Sequence, residues 1–181
     1  SVRPAAGVGE LRLIDRDCVE LSNLHRQVLF NEADAHSARP KAEAAARHLA
    51  EVNTSTHLRP MVEELTYESA RRLLDGVDLV IDGSDNFYTR YAINDTALEL
   101  GIPWIHGAAT APHGVVLPIS AVGAPCFRCY RPDGGPSEER GCAVAGVLNA
   151  TTHIVASYQA TMAMRMLLAE TPDPAGLYLD P

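Results

Sequence analysis

Two short apolar segments, each ending in an aspartate, constrain the fold of this chain more than any other feature. The segments Leu11–Asp15 and Val77–Asp82 have the length and composition of buried β-strands. A helical pattern follows each of them, beginning at Pro40 and at Asn86. Strands that alternate with helices predict an α/β fold with a doubly wound, mostly parallel sheet and helices on both faces. Ligands bind such sheets beyond the carboxyl ends of the strands, so both aspartates are expected at the ligand-binding edge.

The rest of the chain continues the alternation expected of a Rossmann-like sheet. Thr66 is a candidate helix N-cap and Gly101 a candidate helix stop. Residues Pro125–Gly141 are rich in proline, glycine and charge and indicate a loop. The predicted elements are strands His57–Val62, Pro103–Gly107 and Gly114–Ser120, and helices from Pro40, Tyr67–Leu74, Asn86–Leu100 and Gly146–Glu170. We expect a single domain over residues 1–181.

Composition narrows the classes of function. The chain has 15 Lys and Arg residues against 23 Asp and Glu, a net charge of −8, so nucleic-acid and membrane-surface binding are not expected. No apolar run is long enough to span a bilayer, and we expect no signal peptide. Four cysteines in 181 residues are too few for a disulfide scaffold, which predicts a reducing, cytoplasmic location.

Polar residues after the first of these strands suit a nucleotide. Asp15 stands where an acid can accept hydrogen bonds from ribose hydroxyls, although a solvated strand-end acid fits equally well. Arg26 can form paired hydrogen bonds with phosphate oxygens and Asn23 can donate from its amide, the alternative being an exposed polar turn. Lys41 lies in the first turn of a helix, where a cation is unfavourable unless an anion binds nearby; the alternative is a solvated lysine.

Three further residues suggest metal sites. Asp85 follows the second strand, and its carboxylate is the hard oxygen ligand that Mg²⁺ prefers, while a helix N-cap is the alternative and both roles are compatible. Cys126 and Cys129 have the spacing of half a four-cysteine zinc site. Neither Cys18 nor Cys142 is spaced as the second pair, so the zinc ligand set is incomplete in this sequence.

Cys142 is a candidate nucleophile, because it lies directly before a predicted helix and a thiol near a helix N-terminus can be activated. On spacing alone, an ordinary packing or surface cysteine is favoured. The seven histidines lack metal-ligand spacing and are expected to be structural or surface residues.

Taken in order, these segments resemble the ThiF/MoeB/HesA family, the bacterial relatives of ubiquitin-activating enzymes. The resemblance runs over nearly the whole chain, and the ordered set is far more specific than any one motif. The residues that carry it are Leu13–Gln27, Pro40–Lys41, Asp82–Arg90, Pro125–Cys129, Gly141–Cys142, Ala145–Leu148 and Gln159–Ala160.

The resemblance implies an ATP- and Mg²⁺-dependent adenylyltransferase. Its substrate would be the C-terminal glycine carboxylate of a ubiquitin-like sulfur-carrier protein ending in Gly-Gly, in a pathway of the thiamine or molybdenum-cofactor type. Asp85 would coordinate Mg²⁺, and Cys142 would receive the activated carrier before sulfur transfer. A homodimer and a sulfurtransferase or cysteine desulfurase partner are also implied. The residues implied in ATP binding are Asp15, Asn23, Arg26, Gln27 and Lys41.

The sequence departs from the family at its beginning. The glycine-rich phosphate loop between the family's first strand and first helix has no counterpart, because Gly7-Val8-Gly9 lies directly before the first strand found here. We therefore expect a strand–helix unit of about 30 residues to be missing upstream, so that the domain is incomplete at its N-terminus. The arginine that the family donates between subunits would be missing with it. The absent second cysteine pair predicts that the C-terminus is incomplete as well.

Two other readings stay open at this stage. The chain fits a catalytically silent partner subunit of such an enzyme, because that role does not need the glycine-rich loop. A nicotinamide-dependent dehydrogenase on the same type of sheet is less favoured, because it needs a glycine fingerprint about 20 residues before its acid.

Overall fold

The computed structural model describes residues 8–110, 112–122, 125–132, 148–168 and 176–180. Strands and helices alternate along these ranges, which confirms the predicted α/β class. The chain divides into two compact units, Ser1–Leu65 and Thr66–Pro181. The single domain expected from the sequence stays a prediction. No helix within the described ranges is both long enough and apolar enough to cross a membrane.

The first unit is a two-stranded parallel sheet with a helix packed on it. Glu10 pairs with His57 at one end of the sheet and Ile14 with Met61 at the other. Ala42, Ala44 and Ala45 are buried on the helix, and these small side chains let it approach the strands closely. The elements are β1 (Glu10–Ile14), a 3₁₀ turn (Leu21–Asn23), α1 (Glu32–His36), α2 (Lys41–Val52) and β2 (His57–Met61).

The sequence prediction missed α1 and placed the start of α2 one residue too early. Helix α1 was missed, although Asn31 and Asp34 form a reciprocal capping box at its N-terminus. Helix α2 begins at Lys41, one residue later than predicted, and Pro40 is its N-cap. Pro40 has φ −55° but ψ 133°, so its ring fits the helix while its carbonyl is still in extended geometry.

The second unit contains a four-stranded sheet in the order β3-β4-β5-β6. Strands β3 and β4 pair in parallel, whereas β4 with β5 and β5 with β6 are antiparallel. A mostly parallel sheet was expected. Among the described strands, β1 with β2 and β3 with β4 are parallel, and the other two pairs are antiparallel. The elements are α3 (Tyr67–Leu74), β3 (Val80–Ile81), α4 (Phe87–Leu100), β4 (Trp104–Thr110), β5 (His113–Ile119), α5 (Phe127–Tyr130), α6 (Asn149–Leu167) and β6 (Leu177–Leu179).

Local signals set the helix ends of this unit as predicted. The Thr66 side chain accepts the backbone N–H of Ser69 and caps α3. Gly101 ends α4 in the left-handed region at φ 69°, a conformation that glycine adopts without a Cβ clash. Two short elements were missed: β6, and α5, which lies inside the segment predicted as a loop.

The core of the second unit lies between its sheet and α6. Ile105 of β4 and Val116 of β5 are fully buried against Val155, Met162 and Ala163 of the helix. This packing fixes α6 against the sheet at the end of β3, where Asp82 begins the loop that leads to α4.

Candidate functional site

Asp15 and Lys41 are brought together through Asp17. The carboxylate of Asp15, directly after β1, accepts the backbone N–H of Asp17 at 2.8 Å. Asp17 in turn accepts the backbone N–H of Lys41 at 2.8 Å and its Nζ at 3.0 Å. The Lys41 side chain is only 11% exposed, against 56% for Asp17, so the ammonium is held in a defined position beside the Asp17 carboxylate.

Asn23 and Arg26 form a second polar pair in the same unit. Arg26 Nη2 donates to Asn23 Oδ1 at 2.6 Å across the 3₁₀ turn. A guanidinium only donates, so the amide oxygen faces Arg26 and the Asn23 NH₂ group is left as a donor. The pair therefore presents N–H donors of two side chains side by side, which suits an anion with several oxygens.

Gln27 adds an unusual polar atom to this segment. Its backbone N–H donates to the Asn23 carbonyl at 3.0 Å. Its side-chain Oε1 is buried and has no hydrogen-bond partner within the described part of the chain. Buried acceptors are nearly always paired in native proteins, so this one is suited to a donor outside those residues.

Asp34 is a buried carboxylate that sequence reasoning missed. It is 1% exposed and accepts Arg47 Nη2 at 2.5 Å and His48 Nε2 at 2.7 Å. Burial raises the pKa of Asp34, but hydrogen bonds from His48 and Asn31 and the charge of Arg47 hold it below its ordinary range. Its backbone carbonyl also accepts the N–H of Arg39 at 3.1 Å, so it fixes the residues that lead into Lys41.

In the second unit, Asp85 lies on the surface before α4. The side chain of Asn86, the next residue, accepts the backbone N–H of Thr89 at 2.8 Å and is the N-cap of the helix. The cap role considered for Asp85 is therefore filled by Asn86. The Asp85 carboxylate is exposed and makes no hydrogen bond or ion pair with the described residues.

Asp82, three residues earlier, has the opposite environment. It is 2% exposed and accepts the backbone N–H of Ser84 at 2.8 Å, the Ser84 hydroxyl at 2.6 Å and His106 Nδ1 at 2.8 Å. Gln159 of α6 donates to the Asp82 carbonyl at 2.8 Å. Sequence reasoning missed this cluster; the available signal was a histidine inside the otherwise apolar strand that begins Trp104-Ile105.

Cys126 and Cys129 lie side by side at the start of α5, with their Sγ atoms 3.7 Å apart. Burial raises the pKa of the Cys126 thiol, but hydrogen bonds from Cys129, the Arg128 backbone and Asn94 outweigh it and hold the pKa below its ordinary value. Within the described ranges, no three His, Cys, Asp or Glu side chains are grouped so that they could hold a metal. Cys142 lies outside the described residues.

Comparison with known proteins matches this chain to a family model described as the ThiF family, over residues 3–180. The chain is 36% identical over 169 residues to the sulfur carrier protein ThiS adenylyltransferase of Bacillus subtilis (strain 168), covering 93% of this chain and 50% of that protein. It is 40% identical over 167 residues to the SAMP-activating enzyme E1 of Haloferax volcanii, covering 92% and 61%. A sulfur carrier protein adenylyltransferase of Thermus thermophilus is 39% identical over 170 residues, covering 91% and 62%.

Solved structures agree on the fold. Escherichia coli MccB in complex with MccA-N7isoASN superimposes with a TM-score of 0.80 at 20% identity, covering 97% of this chain and 56% of that one. PaaA superimposes with a TM-score of 0.75 at 22% identity, covering 96% and 53%. At these identities the likeness shows the fold alone, a Rossmann-type α/β fold. The chain spans about half to three-fifths of the length of these relatives and solved structures.

Proposed function

This chain belongs to the ThiF family, and we propose that it is part of an enzyme that uses ATP and Mg²⁺ to adenylate the C-terminal glycine carboxylate of a ubiquitin-like sulfur-carrier protein. The observation that carries the proposal is its identity of 36–40% to adenylyltransferases and activating enzymes named for such carriers. The polar groups described above support the same chemistry.

In the proposed reaction, a carboxylate oxygen of the carrier attacks the α-phosphorus of ATP. A new P–O bond forms, the bond from the α-phosphorus to the bridging oxygen breaks, and pyrophosphate leaves with the electron pair. The attacking carboxylate is already ionised, so no side chain has to remove a proton. The protein contributes by positioning the reactants and by neutralising charge as it develops on the phosphates.

Arg26 and Asn23 are proposed to bind phosphate oxygens. Their mutual hydrogen bond orients the guanidinium and the amide before a ligand arrives, which lowers the ordering cost of binding. Gln27, whose buried Oε1 lacks a partner among the described residues, would accept a hydrogen bond from the nucleotide.

Lys41 is proposed to neutralise phosphate charge, and Asp15 is proposed to accept hydrogen bonds from the ribose hydroxyls. The ion pair of Lys41 with Asp17 holds the ammonium in place, yet Asp17 is exposed enough to turn towards solvent when a phosphate takes its place. The backbone hydrogen bond between Lys41 and Asp17 keeps the segment together during such an exchange.

Asp85 is proposed as a ligand of Mg²⁺. The residue fits a hard cation, because its carboxylate is exposed and Asn86 has taken over the helix cap. The metal, when bound, would neutralise phosphate charge and orient the leaving group.

Cys126 and Cys129 fit half of a tetrahedral zinc site. Zn–S bonds of about 2.3 Å at tetrahedral angles place two sulfurs about 3.8 Å apart, and the sulfurs here are 3.7 Å apart. The remaining ligands would have to come from residues outside the described ranges.

Cys142 is proposed to receive the activated carrier in a later transfer step, with a sulfurtransferase or cysteine desulfurase as sulfur source. We further propose a cytoplasmic homodimer in which residues 1–181 belong to one adenylyltransferase domain.

The test is carrier-dependent ATP–pyrophosphate exchange, run on this chain and on any longer protein that its gene encodes. Candidate carriers ending in Gly-Gly are added one at a time, and Asp85→Asn is compared with Asp78→Asn. Asp78 is a suitable control because it is also exposed and makes no hydrogen bond or ion pair with the described residues. We expect Asp85→Asn to lower exchange by about a hundredfold and Asp78→Asn to leave it unchanged.

Exchange that requires both a carrier and Asp85 would establish the adenylyltransferase and identify its partner. If a folded protein catalyses no exchange with any carrier, the proposed activity is wrong, and the result favours a silent partner subunit or an acid substrate other than a ubiquitin-like carrier.

A further inference from the structure

A buried polar cluster surrounds Asp82 at the start of the loop that carries Asp85. We name the residues 82–86 the Asp85 loop. His106 from β4 reaches the carboxylate of Asp82 from one side, with Nδ1 2.8 Å from Oδ2. Gln159 from α6 reaches the backbone carbonyl of Asp82 from another side, and its Nε2 also donates to the Ile105 carbonyl at 3.2 Å.

The geometry assigns the proton of this contact. A carboxylate oxygen only accepts, so His106 Nδ1 carries hydrogen and donates to Asp82. Phe127 packs against the imidazole with ring centroids 4.8 Å apart, which restricts rotation of the His106 side chain. Both Asp82 and His106 are 2% exposed and Gln159 is 6% exposed, so water cannot replace these contacts.

Both ends of the Asp85 loop are fixed. Ser84 is held by its N–H and hydroxyl, which both donate to Asp82, and by its carbonyl, which accepts Arg90 Nη2 at 2.7 Å. Asn86 is held by its capping bond to Thr89. Asp85 lies between these two fixed residues, so its backbone position is set while its side chain stays exposed.

We propose that His106 and Gln159 are positioning residues, which act through Asp82 to hold the Asp85 loop in the conformation that presents the Asp85 carboxylate to Mg²⁺. This inference rests on the proposed function. Neither side chain would touch the metal or the nucleotide, and their effect on the reaction would pass through the backbone of residues 82–86.

The cost of the arrangement argues for a role beyond stability. Burying a charged or polar cluster gains little over apolar packing, and such clusters are best understood as specifying one conformation. The chain also gives up side-chain volume for it, because a Cβ at Gly107 would collide with the Gln159 amide.

The experiment separates the hydrogen bond from the shape of the ring. His106→Phe keeps a planar ring against Phe127 but removes the donor, whereas His106→Asn places an amide N–H close to the position of Nδ1. Gln159→Met keeps side-chain length without the donor and provides a second variant if His106→Phe does not fold. Folding of each variant is checked by circular dichroism and thermal unfolding.

The first readout is hydrogen exchange of the Ser84 amide, whose N–H donates to Asp82; it needs neither ligand nor activity. The second is the Mg²⁺ concentration that gives half-maximal ATP–pyrophosphate exchange, with turnover measured separately at saturating Mg²⁺. We expect His106→Phe and Gln159→Met to increase the rate of hydrogen exchange at the Ser84 amide by about tenfold or more. We expect both variants to raise the Mg²⁺ concentration for half-maximal ATP–pyrophosphate exchange by a similar factor. We expect turnover at saturating Mg²⁺ to fall much less, and His106→Asn to restore both values.

A folded His106→Phe or Gln159→Met variant with wild-type Ser84 exchange would overturn the positioning role, whatever the activity. If the Ser84 amide opens while the Mg²⁺ requirement stays constant, the loop does not position Asp85 for the metal and the proposal is wrong. If the unmodified protein shows no exchange activity with any carrier, the proposed function fails, and the Ser84 readout still decides whether the cluster holds the loop.

Discussion

Gly107→Ala is expected to be one of the most destabilising single-methyl changes in the second unit. Gly107 is buried in β4, and a Cβ built there would overlap the amide group of Gln159. The Gln159 side chain cannot simply swing aside, because its Nε2 donates to the carbonyls of Asp82 and Ile105. The added methyl group therefore overpacks the contact between β4 and α6 and disrupts these two hydrogen bonds.

The magnitude follows from those two costs. Each buried hydrogen bond contributes about 0.5–1.5 kcal/mol net, and overpacking a core costs about 1–3 kcal/mol. Restricting the unfolded chain by replacing glycine offsets about 0.4–1 kcal/mol. The two costs together are about 2–6 kcal/mol, so after the offset the free energy of unfolding should fall by about 1–5.6 kcal/mol. Ile105 keeps a partner throughout, because its carbonyl also accepts the N–H of Asp82 at 2.9 Å.

The assay is urea unfolding of four proteins followed by circular dichroism: the unmodified chain, Gly107→Ala, Gln159→Ala and the double variant. In the Gln159→Ala background the colliding amide is gone, so adding Gly107→Ala should change stability by less than about 0.5 kcal/mol. Gly9→Ala is the control glycine, because no atom lies within 4 Å of a Cβ built there. It should leave stability unchanged or raise it slightly.

Additive losses would refute the reasoning. If Gly107→Ala costs the same with and without the Gln159 side chain, the close approach of α6 to β4 is not what excludes a side chain at position 107. A loss in Gly9→Ala as large as in Gly107→Ala would point to a general effect of replacing glycine instead.

Three further predictions concern the buried acid of the first unit and two helix ends of the second unit. Asp34→Asn should lower the free energy of unfolding by about 1.5–3 kcal/mol at neutral pH. Because the pKa of Asp34 lies below its ordinary range, the stabilisation from its carboxylate is complete above about pH 5 and is lost as the pH falls through that pKa. Urea unfolding between pH 7 and pH 3 should therefore show a weaker loss of stability with acid in the variant than in the unmodified chain. Thr66→Ala should cost about 1 kcal/mol in thermal unfolding, because the backbone N–H of Ser69 loses its cap; Thr66→Ser should recover most of it. Gly101→Ala should cost about 1–2 kcal/mol, because alanine is strained at φ 69°, and a stability equal to the unmodified chain would contradict this conformation.

Sequence reasoning found the features that depend on neighbouring residues. The caps at Thr66 and Gly101 were predicted because the bonds that define them join residues three or four positions apart. The strand positions of Asp15 and Asp82 were found for a related reason, since apolar runs of strand length are local patterns. Asn23 and Arg26, two of the residues proposed to bind the nucleotide, also meet through local geometry, because they are three positions apart in one turn.

The features that were missed depend on residues distant in the chain. His106 is 24 positions from Asp82 and Gln159 is 77 positions from it, so no local pattern relates them. Asp34 likewise meets Arg47 and His48 only after α1 and α2 have packed together. Asp34 reads from sequence as an ordinary surface acid, and only tertiary packing shows that its carboxylate is buried and paired.

In the segment Asp82-Gly-Ser-Asp85-Asn86, the position of each residue relative to the start of α4 determines which side chain stays available. An N-cap side chain reaches the backbone N–H two or three residues ahead, and α4 begins at Phe87, so only Asn86 can cap it. Asp85, one residue earlier, cannot reach a free backbone N–H of the helix in this way and stays exposed. Asp82 ends the strand inside the unit, where three donor groups occupy its oxygens. The hydrogen bonds of Asp82 therefore hold the loop, whereas the Asp85 carboxylate has no hydrogen-bond or ion-pair partner among the described residues and is open to solvent or a cation. For this reason the metal role is proposed for Asp85 and not for Asp82.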